Sequence, residues 1–235
     1  MNNLAETTTL EKPPSSGGQC AAPGCAIRPI LFSGPMVRAI LAGKKVQTRR
    51  VVKDVSADCE LMLPAGDAWW QQCYRDGSGA IHSKSWLTKC PYGMIGDLLW
   101  VRETWCMAGP DGTYDAAPAD GRPCWPDALP MEQRAFYRAT EPGIDVEDGG
   151  GWVPSIHMPR WASRITLEIT NIRAEKLQKI SDLEARMEGV DPTTSGGVMG
   201  CKRGFMDLWD SINSKRPGCS WSDNPWVWVV EFRKV

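Results

Sequence analysis

Residues 43–50 form the segment of this sequence best suited to bind an anion or an electron-rich ligand. The segment Gly43-Lys44-Lys45-Val46-Gln47-Thr48-Arg49-Arg50, here called the basic segment, carries four cationic groups and one hydroxyl. No acidic residue lies between Arg38 and Lys53, yet the whole chain has a net charge of −1. Local positive charge on a nearly neutral protein indicates a ligand site rather than a surface for long polyanions. The competing interpretation is a solvated turn, which is the more common role of a charge cluster.

Two further segments hold groups that can transfer protons or bind a ligand. An apolar strand face ends in Glu103, within the segment Val101-Arg102-Glu103-Thr104-Trp105. This carboxylate therefore either takes part in the chemistry of the site or forms an ion pair with a nearby Lys or Arg. In the segment from Pro154 to Trp161, His157 lies between Ile and Met and is followed by Arg160. A lone histidine in such a setting is more often a hydrogen-bonded structural group than a catalytic one.

Periodicity predicts the elements that position these segments. Ser33 and Pro35 predict the start of a helix over 35–42, and Gly43 marks its end, so this helix leads directly into the basic segment. The capping box Ser181-Asp182-Leu183-Glu184 predicts a helix that ends at Gly189. Alternating apolar residues predict the main strands near 30–32, 97–105, 164–172 and 226–234. Five or six separated strands with three short helices favour an α+β fold, a small mixed β-barrel with peripheral helices.

The composition predicts one folded domain behind a disordered tail. Residues 1–27 are rich in Thr, Ser, Pro, Gly and Ala and offer little to bury. Residues 28–235 are predicted to form a single domain, with irregular insertions at about 54–90 and 108–133.

Composition also limits the compartment and the cofactors. There is no run of about 18 apolar residues, so no membrane span is expected. The N-terminus lacks the pattern of a secretory signal, which predicts a cytoplasmic protein with nine reduced cysteines. Cys20 and Cys25 have the spacing of half a metal site, but the chain has two histidines and no second close cysteine pair. We therefore predict neither a metal nor another cofactor. The sequence does not predict the oligomeric state.

The chain resembles the ASCH superfamily, whose fold is a PUA-like β-barrel. The resemblance covers residues 28–235 and rests on Gly43-Lys44-Lys45-x-x-Thr48-x-Arg50, on Gly96-Asp97-x-x-Trp100-Val101-x-Glu103 and on the last strand. The segment from Ser155 to Arg164 and Trp221-x-x-Asn224-Pro225-Trp226 resemble a phage- and prophage-borne branch. A shared fold does not by itself define the chemistry.

The resemblance implies a metal-independent amidohydrolase. Some small bacterial ASCH proteins remove the acyl group from N4-acetylcytidine with a Lys, a Thr three residues later and a Glu on a later strand. The resemblance places this catalytic set on Lys45, Thr48 and Glu103. This chain is considerably longer than those enzymes, which leaves its substrate open. The alternatives to Glu103 are Glu132, Glu141 and Glu168.

These residue types suit amide cleavage, which requires a nucleophile, a proton carrier and a charge for the oxyanion. Thr48 can act as the nucleophile or position a water molecule. Lys45 can act as a base if burial or cationic neighbours keep it neutral, and otherwise holds the oxyanion. Glu103 can protonate the leaving amine.

The alternative function is a module that binds RNA or a nucleotide, with or without ribonuclease activity. Its partner would be a nucleoside or short single-stranded RNA, because the near-neutral charge does not favour extended duplex binding. Phosphate would be contacted by Lys44, Arg49, Arg50, Arg160 and Arg164, and tryptophans would stack on bases. The residues predicted to bind the substrate in either function are Lys44, Arg49, Arg50, Trp100, Ser155, His157 and Arg160.

Overall fold

The structure, a computed structural model, describes residues 25–53, 55, 59–62, 70–76, 78–108, 114–115, 135–143, 152–191 and 200–235. Most of the predicted tail and most of the predicted 108–133 insertion lie outside this part of the chain. At the first described residue, Cys25, the thiol contacts the carbonyl oxygen of Gly96 at 3.2 Å.

The described residues contain eleven strands and three α-helices. The strands are β1 (Ile27–Leu31), β2 (Gln47–Val51), β3 (Cys59–Met62), β4 (Trp70–Arg75), β5 (Ile81–Thr88), β6 (Leu98–Arg102), β7 (Trp105–Ala108), β8 (Tyr114–Asp115), β9 (Ala135–Tyr137), β10 (Thr166–Lys176) and β11 (Trp226–Lys234). The helices are α1 (Gly34–Leu41), α2 (Asp182–Met187) and α3 (Cys201–Asn213). Short 3₁₀ turns cover Ser155–His157, Arg160–Ala162 and Leu177–Lys179. No helix among these residues has the length and apolar character needed to cross a bilayer.

The main sheet has five strands in the order β1-β6-β10-β11-β2. β1 runs parallel to β6, and every other neighbouring pair is antiparallel. Two smaller sheets, β3-β4-β5 and β8-β7-β9, accompany it. This mixture of sheets and few helices confirms the predicted α+β class.

The described strands do not close into a barrel. β1 and β2 are the two edges of the main sheet, and no backbone ladder joins them within the described residues. Instead, a guanidinium nitrogen of Arg50 on β2 donates a hydrogen bond of 2.6 Å to the carbonyl oxygen of Leu31 on β1. The sheet therefore curls enough for its edges to meet through one side chain.

The main sheet buries apolar residues on both faces. On the first face, Trp228 and Val230 of β11 pack in a core with Val37 of α1. The small β3-β4-β5 sheet joins this core because the rings of Trp70 and Trp228 meet edge to face at 5.7 Å. On the second face, Val229 of β11 packs against α2 and α3. Successive residues of a strand point to opposite faces, so β11, whose first five residues are all apolar, can support both cores.

Candidate functional site

The strand directions bring the segments singled out in the sequence to one end of the main sheet. The carboxyl ends of β1, β6 and β11 and the amino ends of β2 and β10 all lie at this end. Lys45 precedes β2 and Glu103 follows β6, so both residues are placed here. Arg164 precedes β10 and also lies at this end.

Phe32, which follows β1, lies between the basic segment and the end of β6. Its backbone amide donates a hydrogen bond of 3.2 Å to the carbonyl oxygen of Arg102. The centre of its ring lies 5.6 Å from Lys45 Nζ and 5.4 Å from the guanidinium carbon of Arg50. Within the described residues, no hydrogen bond or ion pair joins Lys45 to Glu103. The two groups therefore share a neighbourhood without direct contact.

Lys45 is buried and is paired with Glu188 at the end of α2. Only 2% of Lys45 is exposed, and its Nζ lies 2.8 Å from Glu188 Oε2 and 2.9 Å from the Glu188 carbonyl oxygen. A cation at the carboxyl end of a helix satisfies a free carbonyl group and interacts favourably with the helix dipole. Burial lowers the pKa of Lys45 below its ordinary value; Glu188 opposes this effect, and Arg50 and Arg49 add to it.

Arg49 is the centre of an ion-pair network beneath α2. Its guanidinium nitrogens lie 2.6 Å from Glu175, 3.1 Å from Glu188 and 3.3 Å from Glu184. Arg173 of β10 pairs with Glu175 and Glu184 as well. Buried charges need such partners, so Lys45 and Arg49, two of the four cations of the basic segment, fasten β2 to α2. Arg49 was predicted to contact phosphate, but in this structure its guanidinium faces carboxylates.

Thr48 lies on the opposite face of β2 from Arg49, beside Val230 of β11. Only 3% of Thr48 is exposed. Its hydroxyl makes no hydrogen bond with any group in the described part of the chain.

Glu103 is paired with Arg164. Its two carboxylate oxygens accept hydrogen bonds of 2.9 and 3.0 Å from Arg164 Nε and a terminal guanidinium nitrogen, and only 1% of the residue is exposed. The Arg164 guanidinium in turn lies 3.9 Å from the centre of the Tyr137 ring. The sequence left open whether Glu103 serves in chemistry or forms an ion pair with a nearby Lys or Arg. The structure contains this ion pair, and Arg164 is the partner.

The three alternatives to Glu103 are placed elsewhere or lie outside the structure. Glu168 on β10 pairs with Arg233 at 2.7 Å. Glu141 follows β9, and Glu132 lies outside the described residues. The sequence did not single out Glu188, although it ends the predicted helix that begins with the capping box.

A half-buried tryptophan, Trp100, lies on the second face of β6 between two arginines. The guanidinium carbons of Arg102 and Arg160 lie 5.4 and 5.9 Å from the centre of its ring. Arg102 donates to the carbonyl oxygen of Ile156, and Arg160 lies 3.5 Å from Thr166 Oγ1. Neither guanidinium has a carboxylate partner among the residues that the structure describes. We call Trp100, Arg102 and Arg160 the Trp100 platform.

The platform lies on a part of the sheet that the helices do not cover. α2 and α3 pack near β11 and β2, whereas Ile27 and Leu31 of edge strand β1 are exposed. The turn containing Ser155 and His157 borders the platform through the Arg102–Ile156 hydrogen bond. His157 is exposed and Ser155 is half-buried. Of the predicted substrate-binding residues, the structure thus gathers Trp100, Ser155, His157 and Arg160 in one region.

The other three residues predicted to bind substrate, Lys44, Arg49 and Arg50, lie apart from this platform. Arg49 is held in the ion-pair network beneath α2. Lys44 is exposed beside α1, and Arg50 reaches across Phe32 to β1. The cations of the basic segment therefore do not converge on a single point.

No group of three or more His, Cys, Asp or Glu side chains that could hold a metal ion is present in the described part of the chain. Cys20, one of the two cysteines with metal-site spacing, lies outside it. Comparison with models of known protein families, with curated proteins and with solved structures gave no match for this chain.

Gly189 makes the close contact between α2 and the basic segment, and its replacement is expected to destabilise the fold. Its φ is +91°, and an added Cβ would lie 3.0 Å from Ala39 Cβ and 3.2 Å from Lys45 Cβ. We expect Gly189→Ala to lower the free energy of unfolding by about 1–3 kcal/mol in urea titrations. Gly218→Ala is the matched control, because Gly218 also has a positive φ of +70° but an added Cβ there meets nothing within 4 Å. Equal losses in the two variants would show that the contact with Lys45 and Ala39 contributes nothing.

Proposed function

We propose that this protein is an ASCH-type, PUA-like module that binds short single-stranded RNA on the open face of its main sheet. The single observation that carries this proposal is the Trp100 platform, a half-buried indole flanked by two guanidinium groups without carboxylate partners in the described part of the chain. The family assignment is supported by the motif spacing in the sequence and by the α+β architecture.

The chemistry of the platform suits a nucleotide. An aromatic ring stacks on any base, and flanking guanidinium groups neutralise the phosphates on either side. The exposed His157 and the half-buried Ser155 next to the platform add hydrogen-bonding groups for a base edge or a ribose. With a net charge of −1, the chain offers cations for a few phosphates rather than for a long duplex.

The test is binding of a fluorescently labelled pyrimidine-rich RNA, measured by anisotropy. Loss of one stacking platform typically costs about 1–3 kcal/mol, so Trp100→Ala is expected to raise Kd roughly 5- to 150-fold. Arg160→Gln is expected to weaken binding and to reduce the slope of log K against log salt by about 0.7, the value for one phosphate contact on a single strand.

Arg203→Gln is the matched control for these variants. Arg203 is an exposed cation on α3, where it faces Asp207, so its loss changes the charge of the chain without touching the platform. Its Kd is expected to equal that of the unmodified protein. If Trp100→Ala binds RNA as tightly as the unmodified protein, the platform is not the binding site.

A second candidate function, hydrolysis of N4-acylated cytidine, is favoured by Lys45 and Thr48. Burial lowers the pKa of Lys45, which increases its ability to act as a base. The Thr48 hydroxyl lies three residues further on and has no hydrogen bond within the described residues. Amide hydrolysis by this set would transfer a proton to Lys45 from the attacking group, which is either the Thr48 hydroxyl or a water molecule that it orients. The bond between the acyl carbon and the amine nitrogen would then break, and Glu103 would protonate the leaving amine. If Thr48 is the nucleophile, water would release the acyl group from it in a second step.

Access is the main structural requirement of this second candidate. Lys45, Thr48 and Glu103 are each at most 3% exposed. Arg164 covers Glu103 with a side chain that is 25% exposed, so a substrate would have to displace this arginine to reach the carboxylate. The proposed RNA binding has no such requirement, because the platform already faces solvent.

A further inference from the structure

A groove of about 830 Å³ lies between α1 and the carboxyl end of α2, on the outer side of the basic segment. It is separate from the Trp100 platform, which shares none of its lining residues. Its lining includes Ala39 and Ala42 of the α1 region and Val46 of the basic segment. Leu183 of α2 lies on the rim and is 66% exposed. The groove thus has both apolar and charged lining residues, and the small residues on its α1 side allow another backbone to approach closely.

The charges around this groove are predominantly positive. Arg38, Lys44 and Arg186 line it, whereas Asp191 is its one acidic lining residue among those described. Arg38 is held by a hydrogen bond of 3.0 Å to the carbonyl oxygen of Ala139. Neither Lys44 nor Arg186 has an ion-pair partner in the part of the chain that the structure describes. These cations have positions on both walls, so an occupant that runs along the groove meets positive charge on either side.

We propose that this groove binds an acidic, amphipathic helical peptide segment of a partner protein. A helix that places its apolar side chains in a hydrophobic groove is a common mode of peptide recognition. Charge complementarity selects an acidic occupant, because carboxylates beside the apolar stripe would pair with the cations on both walls. The cations come from both helices and from the basic segment, and apolar residues such as Ala39 and Val46 line the groove with them. This mixture favours an amphipathic peptide over a compact anion such as phosphate.

The test uses the full chain and a designed fluorescent peptide of about four helical turns, with leucine along one face and glutamate elsewhere. A peptide with the same leucine pattern and lysine in place of glutamate is the comparison. The acidic peptide is expected to bind saturably and the basic peptide is not. Introducing like charges at an interface is strongly unfavourable, so the double variant Lys44→Glu, Arg186→Glu is expected to weaken binding of the acidic peptide about tenfold or more. Leu183→Asp is expected to weaken it as well, because it places a carboxylate on the apolar rim.

Arg203→Glu on α3 is the matched charge-reversal control and is expected to leave the affinity unchanged. Circular dichroism checks that each variant is folded. The proposal is overturned if the acidic peptide does not bind, if both peptides bind equally, or if the double variant binds like the unmodified chain. Displacement of the peptide by inorganic phosphate or by the short RNA at comparable concentration would assign the groove to an anion or to RNA and would also overturn the proposal.

Discussion

Replacing Glu188 with alanine is expected to lower the free energy of unfolding by about 3–5 kcal/mol. Glu188 is buried, and its carboxylate pairs with Lys45 at 2.8 Å and with Arg49 at 3.1 Å. Removing one member of a buried ion pair leaves an uncompensated charge in a poorly hydrated site, which is the costly case. Here two cations lose a partner at once, although Arg49 retains Glu175 and Glu184. Urea titrations followed by tryptophan fluorescence measure this loss.

Two further variants separate the buried network from ordinary surface charge. Asp207→Ala removes a carboxylate from the exposed Arg203–Asp207 pair on α3, and such pairs contribute about 0–1 kcal/mol. Lys45→Met in the Glu188→Ala background removes the orphaned ammonium and is expected to recover part of the lost stability. If Glu188→Ala unfolds at the same urea concentration as the unmodified protein, the network does not hold β2 to α2.

For the amidohydrolase candidate, Thr48→Val is the most informative variant, with an expected loss of turnover on N4-acetylcytidine of roughly 10²-fold or more. Valine has nearly the shape of threonine and lacks the hydroxyl. Thr48 is buried against Val230 and makes no hydrogen bond with the described residues, so the substitution is expected to leave stability unchanged or slightly raised. Chromatographic assay of cytidine release measures the rate.

The choice of Thr48 avoids an ambiguity that affects Lys45. Lys45→Ala would abolish both a proposed base and the ion pair with Glu188, so a loss of activity could follow from a loss of folding. Glu103→Gln is the companion variant, because it retains the shape of the side chain while removing the acid. The second candidate function is excluded if the unmodified protein does not release cytidine, or if Thr48→Val releases it at the same rate.

Local patterns predicted the elements whose stability depends on neighbours in the chain. The alternation in 226–234 corresponds to β11, and the Ser181 capping box is present, with both reciprocal hydrogen bonds formed. The helix over 35–42 agrees with α1, although the Ser33 side chain makes no capping hydrogen bond. These features depend on residues at most a few positions apart, so periodicity and capping residues are sufficient to locate them.

Other elements differ from the prediction because tertiary contacts define them. The strand predicted over 97–105 divides into β6 and β7 at Glu103, where the chain turns to pair with β9 and the carboxylate meets Arg164. Residues 54–90 were predicted to be an irregular insertion, but they contain β3, β4 and β5. Insertions with irregular composition carry weak local signals, and pairing with neighbouring strands decides their structure.

The sequence alone determined which residue types are available for chemistry and which elements carry them: a basic segment behind a helix, a carboxylate at a strand end, and a tryptophan with arginines nearby. Only the tertiary structure decided which of these charges face inward. Lys45 is paired with Glu188, 143 positions away, and Glu103 with Arg164, 61 positions away. Trp100 and Arg160 meet because β6 pairs with β10. Pairings between distant segments follow from strand order and packing, which leave no periodic trace in the sequence. The same residue type is therefore buried and ion-paired at Arg49 but exposed at Arg160.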